Sequence, residues 1–233
     1  MRILITSLLT LWTILECASQ TDVTKSFADK FDFSEFLATN KEYGFDGVYG
    51  DTYQRIQFAF TKILKSSGDK LVYNITGADR LKKNVTRFNG EIRLTTIIKH
   101  EGSFYNPEKP GKDKWIEFKG EFEFREDTNA KGSGIFKGIL SFALTLQDNK
   151  FIDDMAEYQG DGFSNFIYQG QWTSYLTGKT KKCIWGQGGL PNTGDFNQGD
   201  GSLSVNEKYK KNGWEMDDMN LKLLDNPKYW WRQ

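Results

Sequence analysis

Apolar and polar positions alternate along much of the chain. In residues 114–125, Ile116, Phe118, Gly120, Phe122 and Phe124 share one phase, and Glu117, Lys119, Glu121, Glu123 and Arg125 share the other. Successive side chains of an extended chain point to opposite faces, so this pattern describes a strand with one buried and one wet side. The same period predicts strands over 55–64, 71–76, 88–98, 115–125, 135–146 and 166–175, with a short seventh at 203–205. Turn-forming runs at 66–69 and 127–134 make hairpins of the first two strands and of the fourth and fifth. Residues 101–113, with Pro107 and Pro110, read as a long polar loop, and 148–162 as acidic, irregular chain. The tail, with Trp214, Tyr229, Trp230 and Trp231, is a candidate closing strand or plug. Near the start, Phe27, Phe31 and residues 34–37 fall at helical spacing, which predicts a short helix lying on the domain.

A glycine recurs in the apolar phase, flanked by large side chains. It appears in Phe45-Asp46-Gly47-Val48-Tyr49 and Phe88-Asn89-Gly90-Glu91-Ile92, and again at Gly120, Gly138 and Gly170. The intervals are irregular, unlike those of a solenoid or propeller. Glycine inside a strand costs backbone entropy and packs nothing, so its repetition calls for a cause. Curvature supplies one, because a missing inward side chain lets a strand bend while neighbouring rings cover the backbone. The expected fold class is therefore all-β, an antiparallel up-and-down meander closed or nearly closed into a barrel, with a two-sheet sandwich as the runner-up.

Length and composition narrow the picture. The 233 residues suit one large β domain, and an aromatic fraction of 15% can fill a substantial core. Residues 1–19 read as a signal peptide, leaving 20–233 as a single barrel-like domain. Met1-Arg2 gives a positive start, residues 3–15 an apolar run too short to span a bilayer, and Cys17-Ala18-Ser19 a small-residue site for cleavage before Gln20. No later stretch resembles a transmembrane helix. The expected location is secreted or periplasmic. A lipid anchor on Cys17 is the alternative, against which Glu16 stands at a position normally small. Without Cys17, Cys183 is alone, buried as a small apolar residue or paired with another chain. With 31 basic and 31 acidic residues the chain is neutral, which argues against a strong electrostatic footprint for nucleic acid or an anionic membrane.

Residues 178–201 read as a long glycine-rich loop in which Trp185 and Phe196 could be presented to a ligand. Asp195, Asn197 and Asp200 offer oxygens at short spacing, a set suited to calcium, although the segment lacks the terminal Glu of an EF-hand. Catalytic signatures are sparse. The single histidine, His100, reads as a surface residue past a strand and excludes His-pair zinc motifs. There is no G-x-S-x-G elbow, and Gly186-Gln187-Gly188-Gly189 lacks the lysine of a phosphate loop. Paired carboxylates could cleave a glycosidic bond, but the strand glutamates fall on wet phases and single out no pair.

The run Tyr168-Gln169-Gly170-Gln171-Trp172-Thr173 resembles the Gly-x-Trp signature of lipocalin- and avidin-like barrels. From about Gly47 to Trp214 the chain also resembles secreted bacterial proteins of no assigned function. The shared features are a Gly-x-Trp-x-x-Tyr stretch (Gly170 to Tyr175), a Cys-x-Trp-Gly turn (Cys183 to Gly186) and a Gly-x-Gly step (Gly199 to Gly201). The resemblance implies an exported, lipocalin-like barrel and supplies no activity. The expected function is then non-enzymatic: a binding or structural protein holding a small apolar molecule or a glycan at a barrel mouth lined by Trp172, Tyr175, Trp185 and Phe196. A small secreted carboxylate hydrolase and a protein-interaction module are the alternatives.

Overall fold

The computed structural model describes residues 20–38, 44–101, 114–155, 164–197, 203–215 and 230–232. The leader, Cys17 and the loop at 102–113 lie outside them, as do Asp200 and Tyr229. Ten strands form: β1 (Gln20–Asp22), β2 (Phe45–Tyr49), β3 (Gln54–Lys65), β4 (Val72–Leu81), β5 (Asn84–His100), β6 (Lys114–Glu126), β7 (Gly134–Gln147), β8 (Lys150–Ile152), β9 (Ser164–Ser174) and β10 (Thr180–Gly188). Each of β2 to β7 pairs antiparallel with the next, β7 pairs β9, β9 pairs β10, and β10 returns to β2. The result is a closed eight-stranded up-and-down barrel, which leaves no open sheet edge among these strands. The short strands β1 and β8 pair outside the ring, with β5 and β7.

Closure depends on tight bending of the wall. Gly138 and Gly170 face each other across β7 and β9, and a Cβ on Gly170 would collide with the Lys137 carbonyl oxygen and lie 2.8 Å from Gly138 Cα. Register shifts at Phe60/Lys62, Leu94/Thr96 and Trp185/Gln187 mark further irregularities, where an added residue increases local twist.

Rings fill the interior. Trp185 is fully buried and stacks with Phe58 at 3.9 Å and with Tyr168 at 5.2 Å between centroids, with Phe122 edge-on at 5.0 Å. One end of the barrel is shut by α1 (Thr24–Lys30) and α2 (Ser34–Leu37), the short helical segment that the spacing predicts. Phe33 sits there fully buried, edge-on to Phe118 at 4.8 Å, and its amide donates to Tyr73 Oη at 3.2 Å. Phe151 of β8 meets Phe31 at 4.9 Å, so residues read as irregular acidic chain supply a hairpin and a ring to this lid. The opposite end carries four turns, at 50–53, 82–83, 127–133 and 175–179.

Two sequence expectations change. The first half of the glycine-rich stretch is not loop but β10, the strand that closes the ring. It shows no polar alternation because both its faces are covered: Cys183 and Trp185 face the lumen, while Ile184 packs outside with Val48, Leu190, Phe196 and Trp214. Residues 203–205 form only an isolated bridge, Asn197 to Val205, and it is β10, pairing with β2, that closes the barrel. Instead the tail dresses the outer wall. Arg55 makes a bidentate pair with Asp46 (2.7 and 2.9 Å) and lies 5.5 Å from the Trp214 ring. Trp230 packs on Ala59 and Ala78, with Arg80 at 4.9 Å from its ring.

Candidate functional site

The four-turn end gathers the ionisable groups that face the lumen. On β4 the inward phase runs Tyr73, Ile75, Gly77 and then Asp79; on β6 it runs from Ile116 through Phe124 to Glu126. Strand alternation alone therefore delivers two carboxyl groups to the interior, where they are 3% and 6% exposed. Glu126 Oε2 accepts from Trp172 Nε1 and from the Gly134 amide, both at 2.6 Å. The Glu126 backbone carbonyl accepts from Tyr175 Oη at 3.2 Å. Tyr49 lies edge-on to Trp172 at 5.7 Å, and Lys181 Nζ stands 5.4 Å from the Tyr49 ring.

Asp79 and Glu126 are close enough for the charge of one to act on the other, and Asp79 Oδ2 is buried without a hydrogen-bond partner among the described residues. Two neighbouring buried carboxyl groups cannot both ionise, so one keeps its proton. Burial, reinforced by the Glu126 charge, pushes Asp79 well above the usual carboxylate range. Burial also raises Glu126, but the bonds from Trp172 and the Gly134 amide oppose the rise. Asp79 is thus the proton holder and Glu126 the charged partner. The linkage sign follows: the folded chain binds this proton more tightly than the unfolded chain, so the stabilisation is complete below about pH 4, the unfolded carboxylate value, and fades as pH rises toward the folded pKa of Asp79. Asp79→Asn keeps the size of the side chain without a titrating proton. Its melting temperature should fall less than that of the unaltered protein between pH 5 and pH 8; parallel Tm curves would show that the pair is not coupled in this way.

Of the ring residues anticipated from sequence, Trp172 and Tyr175 meet at this mouth, with Trp172 mostly buried and Tyr175 38% exposed. Trp185 is deeper, inside the ring stack, and Phe196 is fully buried on the outer wall, edge-on to Trp214 at 4.9 Å. Of the calcium set only Asp195 and Asn197 are among the described residues. The Asp195 carboxylate is held by Lys208 and Tyr209, Asn197 Oδ1 accepts the Ser204 amide at 2.9 Å, and no group of three potential metal ligands is present there. Burial pushes the Cys183 thiol up and leaves it 3% exposed. His100 is not at the surface: it is 7% exposed and stacks on Trp115 at 3.6 Å, because β1 covers the end of β5.

The residues that sequence reasoning missed are Asp79 and Glu126. A readable signal existed, since each carboxylate continues an apolar phase where a hydrophobic residue would be expected. A second concavity, an open cleft of about 820 Å³ between α1 and the β3–β4 turn, is lined by Asp22, Lys25, Asp29, Asp69 and Lys70. In it Asp69 pairs with Arg93 at 2.6 Å and Asp22 Oδ1 accepts the Thr24 amide at 2.9 Å.

Comparison with protein-family models, curated proteins and solved structures finds no match. Fold and mouth together define an eight-stranded up-and-down barrel protein with a packed lumen, a helical lid at one end and a buried acid pair at the other.

Proposed function

We propose that the protein is an exported, non-enzymatic binding protein of the barrel type, and that its ligand, a glycan or a small apolar molecule, lies at the four-turn mouth against Trp172 and Tyr175. The observation that carries this reading is the convergence of both rings on one residue, Glu126. A hydrogen bond to each ring's polar edge fixes its orientation and leaves the exposed Tyr175 ring as a preformed surface for stacking. The ring-filled lumen favours a site at the mouth over one deep inside. The apolar leader at residues 3–15 supports export.

Binding is favoured over hydrolysis by the burial of the acid pair. A glycosidase needs carboxyl groups set apart around the bond and open to substrate, whereas Asp79 and Glu126 are both buried and Glu126 is held by Trp172.

A thermal-shift assay with a β-linked oligosaccharide and a long-chain fatty acid tests the reading. One probe should stabilise the protein, by about 2.7 kcal/mol at a hundred times its Kd. Tyr175→Ala should remove that shift while moving the ligand-free stability by about 1 kcal/mol or less, the loss of one exposed hydrogen bond. Equal stabilisation of the variant, or release of product from a polysaccharide, would overturn it.

A further inference from the structure

The neutral total conceals a strong local imbalance. Lys82, Lys83, Lys131, Lys179, Lys181 and Lys182 all lie in, or within three residues of, the four turns that ring the mouth, and all are exposed. The exposed acids of the same turns are Asp51 and Asp127. None of the six lysines takes part in an ion pair among the described residues. At the lidded end acids and lysines are close to balance: Asp22, Asp29, Asp32, Glu35, Asp69 and Glu101 stand among Lys25, Lys30, Lys65, Lys70, Lys99, Lys114 and Lys150. The excess of exposed lysine over acid therefore belongs to the mouth.

Exposed apolar side chains accompany the lysines. Leu176 is 90% exposed at the tip of the β9–β10 turn, beside the partly exposed Tyr175, and Val85 is 39% exposed just past the β4–β5 turn. Turn order around the ring places these two hairpins on opposite sides of the mouth. A single exposed leucine is ordinary on a protein surface; here its meaning comes from its company, since Leu176 stands with Tyr175 and the lysines at one end of the barrel. Lysines alone would suit any polyanion, but lysines around a protruding Leu and a Tyr match the chemistry of a bilayer interface. There cations meet lipid headgroups, tyrosine sits at headgroup level, and an aliphatic side chain reaches the acyl region.

We infer that the four-turn end of the barrel docks on an anionic lipid bilayer, with Leu176 inserted and the ring of lysines on the headgroups. The inference shares Tyr175 with the ligand reading, but the residues altered in its test, Leu176, Lys179 and Lys182, are outside the Trp172–Glu126–Tyr175 arrangement, so the two can fail separately. The test is cosedimentation of the purified protein with vesicles of phosphatidylcholine alone and of phosphatidylcholine with phosphatidylserine. Binding should require phosphatidylserine and weaken at high salt. Lys179→Glu with Lys182→Glu should weaken it by about tenfold or more, and Leu176→Ser by on the order of tenfold. Lys25→Glu with Lys70→Glu, at the lidded end, should leave binding unchanged and serves as the control for charge in general. Each altered position is exposed, and far-UV circular dichroism checks that the barrel persists. Equal binding to both vesicle types would overturn the inference. So would full binding by Leu176→Ser, which would mark the lysines as a site for a soluble polyanion such as nucleic acid or an acidic protein.

Discussion

Replacing Trp185 with alanine is expected to cost about 3–5 kcal/mol of folding stability, the range for deleting a large buried ring. That is a large share of the roughly 5–15 kcal/mol by which a domain is stable. The size follows from position. Trp185 is fully buried and touches rings from several walls of the barrel at once, Phe58 on β3, Phe122 on β6 and Tyr168 on β9. The walls are tied into a closed ring by backbone hydrogen bonds and cannot collapse inward, so the cavity remains and its lining loses dispersion contacts. Denaturant unfolding checks this as a lower midpoint with an unchanged slope. Leu176→Ala, on the exposed turn, should stay within about 0.5 kcal/mol. A Trp185→Ala midpoint close to that of Leu176→Ala would mean that the lumen is not the packed core described above.

Gly170→Val is expected to be at least as damaging, and to abolish the folded barrel rather than soften it. The added side chain would have to occupy the space of the Lys137 carbonyl and Gly138 Cα in the adjacent strand. Overpacking a yielding core costs about 1–3 kcal/mol. Here the obstacle is paired backbone, which can move only by breaking the β7–β9 ladder. The readout is loss of the cooperative thermal transition and of soluble protein. Gly68→Ala is the matched control: its Cβ would meet only Ser66 Oγ at 3.9 Å in a surface turn, and the change should fall within about 0.5 kcal/mol. A soluble, cooperative Gly170→Val protein would remove the close approach of β7 and β9 as a condition of closure.

The sequence by itself determined the class of fold. Period-two alternation located six barrel strands, since a half-buried strand must show one wet and one dry side. The glycines in the apolar phase announced curvature before any coordinates, because only a missing side chain allows neighbouring backbones to approach so closely. Trp172 was legible as an inward residue because it shares the phase of Gly170, whereas Tyr175, three residues on, is out of that phase and takes its place from the β9–β10 turn.

What the tertiary structure decided lies where local pattern is silent. The closing strand β10 was hidden because the folded-back segment around Leu190, Phe196 and Trp214 covers its outer face, and a strand buried on both sides loses its polar alternation. Asp79 and Glu126 are 47 residues apart in sequence and became a pair only when β4 and β6, each flanking β5, brought the ends of their inward phases together. The clustering of lysines had the same origin: four hairpins distant along the chain shared one end only once the ring had closed. Composition sums over the chain, whereas a surface is assembled by topology, and so a neutral sequence folded into a barrel with one basic end.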